Sequence, residues 1–149
     1  MKKIITLICL VFFSISSFAQ KGPRERMKAH KIAYITEKLD LTPKEAQQFW
    51  PIYNAHEQTM DELKGNNRRL IRNLKETNDG FEGLSDKQAG DFLANYMDIE
   101  QQKSQARKKL ITNLQKVIPN KKILRLIKAE ADFNKRILQR IREQRKRKN

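Results

Sequence analysis

The chain has 149 residues and a single cysteine, Cys9. Cys9 lies in a segment that we expect to be removed on export, residues 1–19, so the mature protein should contain no cysteine. Disulfide bonds, thiol catalysis and cysteine-based metal sites are then excluded. An exported chain without disulfides must be stabilised by helix packing or by oligomerisation.

Residues 1–19 have the pattern of a cleavable secretory signal. Lys2 and Lys3 form a basic start, residues 4–13 form an apolar run, and small residues precede the expected cleavage site before Gln20. The apolar run is too short to span a membrane. The sequence therefore predicts a periplasmic protein with a helical domain over residues 20–141 and a basic C-terminal tail over residues 142–149.

The chain is also poor in residues that carry catalysis. It has two histidines and five glycines. It has no glycine-rich phosphate loop, no Ser/His/Asp set and no histidine cluster. Neighbouring carboxylates such as Asp61 and Glu62 are typical of a solvated helix face. We therefore predict that the protein is not an enzyme and has no catalytic residue and no cofactor.

Acidic residues are too few to balance the basic ones. There are 17 Asp and Glu residues against 32 Lys and Arg residues, which gives a formal net charge of +15. Such an excess attracts anionic partners. Nucleic acid would be the first candidate in the cytosol. Because export is predicted, we expect no nucleic acid and instead expect acidic protein segments or the phosphates of envelope lipids.

Two similar helix-start signals organise the chain. Leu41, Thr42 and Glu45 form the first, and Leu84, Ser85 and Gln88 form the second. In each, the hydroxyl can accept a hydrogen bond from the backbone three residues later, while the Glu or Gln side chain reaches back, which is the pattern of a capping box. Both signals predict the start of a long helix.

Apolar residues at steps of three and four follow each start signal and form one seam per helix. On the second helix the seam is Ala46, Phe49, Tyr53, His56, Met60, Leu63, Asn67, Leu70 and Leu74; on the third it includes Phe92, Tyr96, Ile99, Ala106 and Leu110. The third helix is expected to continue to about Val117, and a basic fourth helix follows, with an apolar stripe that includes Ile127, Leu138 and Ile141. With a short first helix, the sequence predicts an all-α fold of four helices, two of them long and antiparallel, in an elongated, curved chain. One chain would leave much of these seams uncovered, so we also predict an antiparallel homodimer.

The segment LDLTPKE at 39–45, which follows a signal peptide in a basic and otherwise cysteine-free helical chain, resembles the LTxxQ family of periplasmic proteins. That family includes the Spy/CpxP-type refolding chaperones and their envelope-stress and metal-sensing relatives. Glu45 stands where the family has Gln, and IPNKK at 118–122 stands where a second motif opens the last helix. The resemblance implies a thin, curved homodimer whose concave face binds unfolding proteins without ATP.

Three functions are compatible with these features. The first is an ATP-independent chaperone, or holdase, that binds unfolded or misfolding envelope proteins, here called clients. The second is a periplasmic heavy-metal or envelope-stress sensor that acts with a sigma/anti-sigma or two-component system. The third is a structural protein adsorbed on the envelope, where the basic C-terminal tail would contact anionic lipid.

The candidate site residues follow from these alternatives. His56 and Met60 are spaced so that they can share a metal ion, but both fall on the apolar seam, and core packing is the favoured interpretation. The candidate client-binding residues are basic, apart from one aromatic residue beside the seam: Trp50, Lys64, Arg68, Arg69, Arg72, Lys75 and Arg107. A basic face can also serve solubility alone.

Overall fold

The computed structural model describes residues 22–76, 80 and 82–147, and the predicted signal segment lies outside them. Four helices account for most of this part of the chain: α1 (Pro23–Leu39), α2 (Pro43–Glu76), α3 (Asp86–Leu114) and α4 (Asn120–Lys146). The described residues contain no strand. The predicted all-α fold of four helices is confirmed.

The chain divides into two compact units. One covers residues 40–127 and contains α2, α3 and the start of α4; the other contains α1 and the part of α4 from Lys128 onward. The boundary between them falls inside α4. None of the helices in the described part of the chain is both long and apolar enough to cross a membrane.

Local hydrogen bonds at the helix ends explain where α2 and α3 begin. The Thr42 N–H donates to Glu45 Oε2 at 2.8 Å, and the Glu45 N–H donates to Thr42 Oγ1 at 3.3 Å. Ser85 and Gln88 make the same reciprocal pair at 2.9 and 3.3 Å. Asp40 has a φ of 49°, a left-handed conformation that ends α1 just before the first box.

The core of the 40–127 unit lies along the predicted seams, where α2 and α3 pack against each other. On α2 the buried residues are Phe49, Tyr53, His56, Leu63 and Leu74, and on α3 they are Ile99, Leu110 and Leu114. The start of α4 adds Ile123 and Leu126. All five α2 residues belong to the seam predicted from the sequence, so the helical periodicity identified the α2 part of this core correctly.

Three details differ from the sequence-based expectations. The third helix was expected to continue to Val117 but ends at Leu114, because residues 116 and 117 donate to carbonyls three residues back and tighten the chain ahead of Pro119. Tyr96, assigned to the α3 seam, is 38% exposed. On α4, Ile127, Leu138 and Ile141 were assigned to the apolar stripe but are exposed.

The second unit is formed by α1 and the C-terminal half of α4. Ile35 and Leu39 of α1 are buried, as are Ala129 and Phe133 of α4. The ring of Tyr34 lies 5.8 Å from that of Phe133, measured between centroids. The Arg136 guanidinium lies 4.9 Å from the centre of the same Tyr34 ring, a cation–π distance. Residues 142–146 of the predicted tail are part of helix α4.

Candidate functional site

Four exposed cations lie along one side of α2. Lys64, Arg68, Arg72 and Lys75 are spaced by four and three residues, and we call them the basic stripe. Ile71 is 37% exposed and lies three residues after Arg68 and four before Lys75, so an apolar side chain is placed among the charges. The stripe therefore combines long-range attraction for anions with a short-range apolar contact.

The arginines of this region also border a surface hollow. The hollow measures about 620 Å³ and is lined by Glu62, Gly65, Asn66, Arg68, Arg69 and Arg72. Gly65 contributes no side chain to the hollow, and a Cβ built there would meet no atom within 4 Å. Arg69 Nη2 donates to Asn66 Oδ1 at 2.5 Å, which orients that guanidinium beside the hollow. A carboxylate entering it would meet several guanidinium groups.

The ion pair on the stripe is weak. Arg72 Nε lies 3.8 Å from Glu76 Oε1, and the two side chains are 65% and 68% exposed. Exposed pairs at this distance contribute little to stability because water screens them. Arg72 therefore remains able to interact with an incoming anion.

Helix α3 exposes three large apolar side chains that lie close together on its surface. Leu93 is 57% exposed, Met97 is 68% exposed and Tyr96 is 38% exposed. Their spacing by three and four residues places them on one side of the helix, and we call them the apolar patch. Leu93 and Met97 are not among the site residues predicted from the sequence. The sequence feature that could have indicated them is an apolar pair, spaced by four residues, that lies off the seam.

A groove runs between α2 and α3. Its volume is about 600 Å³. Its lining is mostly uncharged: Pro51, Ile52, Ala55, His56, Thr59 and Leu63 from α2, and Gln102, Gln105, Ala106, Lys109, Leu110 and Asn113 from α3. A groove with this lining can accept apolar side chains, while its amides can bond to a peptide backbone.

The other candidate residues are separate from the basic stripe. Trp50 is half-buried and makes edge-to-face contacts with Phe49 and Tyr53, at centroid distances of 5.0 and 5.7 Å. It lies roughly 20 Å along the helix axis from Lys64, at about 1.5 Å per residue. Arg107 is half-buried on α3. The structure thus places the basic stripe on one side of α2, Trp50 nearer the start of the same helix, and Arg107 on α3.

His56 and Met60 lie on the inner side of α2. His56 is 9% exposed and Met60 is half-buried, in agreement with their positions on the seam. Within the residues described, no group of three or more His, Cys, Asp or Glu side chains is close enough to hold a metal ion.

A charged contact connects the start of α2 to the start of α4. Lys122 Nζ donates to Glu45 Oε2 at 2.7 Å and to the Asp40 carbonyl at 2.5 Å. The two charged side chains are only 17% and 19% exposed. The hydrogen bond from Lys122, followed by that from the Thr42 N–H, lowers the pKa of Glu45 below its ordinary value of 4.5. This ion pair joins both helices to the first capping box.

No known protein family, curated protein or solved structure matches the chain.

Proposed function

We propose that the protein is an ATP-independent chaperone that holds unfolded polypeptide on the α2 and α3 surfaces of its 40–127 unit. The observation that carries this proposal is the apolar patch. Leu93 and Met97 are both more than half exposed, on the same helix that buries Ile99, Leu110 and Leu114. Exposed apolar clusters of this kind are characteristic of protein-binding surfaces.

The chemistry of the patch suits partners of varied sequence. Unfolded chains expose apolar side chains, and contact with Leu93, Tyr96 and Met97 would remove both surfaces from water. Methionine is unbranched and flexible, so Met97 can adapt to differently shaped side chains. A patch of three residues contributes a modest affinity, which allows a client to dissociate and fold.

The basic stripe supplies the second element of the proposal. Charges that project into solvent raise the local concentration of oppositely charged partners and accelerate their association. Lys64, Arg68, Arg72 and Lys75 would therefore recruit acidic segments of an unfolded chain, and Ile71 among them would add an apolar contact. The LTxxQ resemblance of residues 39–45 supports the same function, together with a periplasmic location and a homodimeric state.

The experiment measures aggregation of an acidic, chemically unfolded client in the absence of ATP. We expect the chain lacking residues 1–19 to suppress aggregation. Arg68→Glu with Arg72→Glu should reduce protection at low salt, mainly by slowing association. Leu93→Gln with Met97→Gln should reduce protection at both low and high salt, because apolar contacts are not screened.

The matched control is Arg142→Glu with Arg145→Glu, which makes the same change of charge on α4. This control should protect the client as well as the parent chain does. If the parent chain gives no protection, the chaperone proposal is wrong. If the α2 and α4 variants lose protection equally, net charge rather than the basic stripe recruits the client.

A further inference from the structure

The C-terminal half of α4 presents a second surface on which apolar and basic side chains alternate. Leu138 is 56% exposed and Ile141 is 41% exposed. Lys135 precedes Leu138 by three residues and Arg142 follows it by four, so all four side chains lie on the same side of the helix. Arg145 continues this side one turn further, and we call these five residues the outer face of α4.

The opposite side of the same helix segment is already used within its own unit. Phe133 is buried and its ring lies against Tyr34 of α1, and Arg136 stacks over that tyrosine. The outer face is thus directed away from the contact with α1. Its apolar residues, Leu138 and Ile141, remain exposed beside that contact.

The charged residues of this segment are almost all basic. From Lys135 to Arg147 every charged residue except Glu143 is basic. Ile141, Gln144, Arg145 and Arg147 also border a shallow hollow of about 500 Å³. Two guanidinium groups beside an apolar side chain form a suitable position for a phosphate attached to a hydrocarbon chain.

We propose that the outer face of α4 binds the surface of an anionic phospholipid bilayer. Lipid phosphates would pair with Lys135, Arg142 and Arg145, while Leu138 and Ile141 would enter the boundary between headgroups and acyl chains. The long basic side chains can extend back to the headgroups while their methylene groups contact apolar surface. Because α4 continues to Lys146, these side chains keep a fixed order on one face, which a disordered tail would not provide.

The charge pattern favours a bilayer over the other anionic partners. Nucleic acid would satisfy the cations but would leave Leu138 and Ile141 exposed to water. An acidic protein segment would need its own apolar residues in a matching order, whereas a bilayer supplies phosphates above a continuous apolar layer. The outer face lies on α4, outside the α2 and α3 surfaces assigned to clients, so the two proposals can fail independently.

The test is flotation of the chain lacking residues 1–19 with vesicles of phosphatidylglycerol and phosphatidylcholine, compared with vesicles of phosphatidylcholine alone. We expect binding to the anionic vesicles and none to the neutral ones. Arg142→Glu with Arg145→Glu should lower the partition coefficient by at least about twentyfold, since each basic residue near an anionic surface contributes about fivefold. Leu138→Gln with Ile141→Gln should abolish the binding that remains at high salt.

Arg68→Glu with Arg72→Glu is the matched control, because it changes the net charge equally on α2. It should leave vesicle binding within about twofold of the parent value while impairing client protection. Equal losses from the α2 and α4 variants, or equal binding to both vesicle types, would overturn the proposal. Loss of client protection by the α4 variant with unchanged vesicle binding would assign this face to an acidic protein segment instead.

Discussion

The contact between Glu45 and Lys122 shows how two individual residues connect distant parts of one unit. Glu45 completes the capping box of α2 and accepts from Lys122 at 2.7 Å, although the two residues are 77 positions apart. Glu45 carries a negative charge and Lys122 carries a positive charge, so charge attraction adds to the hydrogen bond between the two side chains.

The depressed pKa of Glu45 predicts how this pair responds to pH. A carboxyl with a lower pKa in the folded state than in the unfolded state stabilises the fold at any pH above its unfolded-state pKa. This stabilisation is lost as the pH falls through the folded-state pKa. We expect Lys122→Met to lower the melting temperature at pH 7. The difference between parent and variant should shrink as pH falls below about 4.5, the ordinary value of the carboxyl.

Thermal melts followed by circular dichroism at several pH values would measure this difference. Thr42→Ala is a useful control, because it removes one hydrogen bond of the capping box and leaves Lys122 in place. A melting difference between parent and Lys122→Met that stays constant down to pH 3 would show that the ion pair is not its source.

At the scale of the helices, α2 and α3 each contain an internal glycine where the structure has room for a side chain. Gly65 in α2 and Gly90 in α3 each have open space where a Cβ would stand. Glycine in a helix interior loses more backbone entropy on folding than alanine does. Each helix is therefore less stable than it would be with alanine at the same position.

We expect Gly65→Ala and Gly90→Ala each to raise the free energy of unfolding by about 0.5–1 kcal/mol. Gly80 provides the contrast within the same chain. It has a φ of +58°, a conformation that strains any residue with a side chain, so Gly80→Ala should lower stability. Urea unfolding of the three variants measures all these changes. A destabilising Gly65→Ala would mean that the hollow beside the arginines requires glycine for packing.

At the scale of the whole molecule, two pairs of apolar residues remain exposed. Leu93 and Met97 on α3 and Leu138 and Ile141 on α4 are all more than 40% exposed. We assign the first pair to clients and the second to lipid. A second copy of the chain could cover either pair instead, and the predicted homodimer makes this alternative testable.

We expect sedimentation equilibrium of the chain lacking residues 1–19 to give a dimer at micromolar concentration. Leu93→Gln with Met97→Gln and Leu138→Gln with Ile141→Gln should both remain dimeric, because each pair is assigned to another partner. A variant that becomes monomeric would identify its pair as part of the subunit interface. A monomeric parent chain would instead show that the seams are covered within one copy.

The number of helices, the starts of α2 and α3, and the buried residues of α2 could be predicted from the sequence. Each depends on residues that are close together along the chain. The hydroxyl and the Glu or Gln three residues later lie next to each other in any helix start, so both capping boxes could be read directly from the chain. The periodicity of α2 likewise identified Phe49, Tyr53, His56, Leu63 and Leu74. The basic residues of α2 could be named as candidates because their spacing alone places them along one helix.

The tertiary structure decided which apolar residues remain outside and which distant charges meet. Leu138 and Phe133 look alike in a hydrophobic pattern, but the contact with Tyr34 of α1 buries only the phenylalanine. On α3, packing against α2 buries only one stripe of the helix. Leu93, Tyr96 and Met97 lie outside that stripe and stay exposed. The Glu45 pair with Lys122 depends on bringing two helix starts together, and no local spacing predicts that.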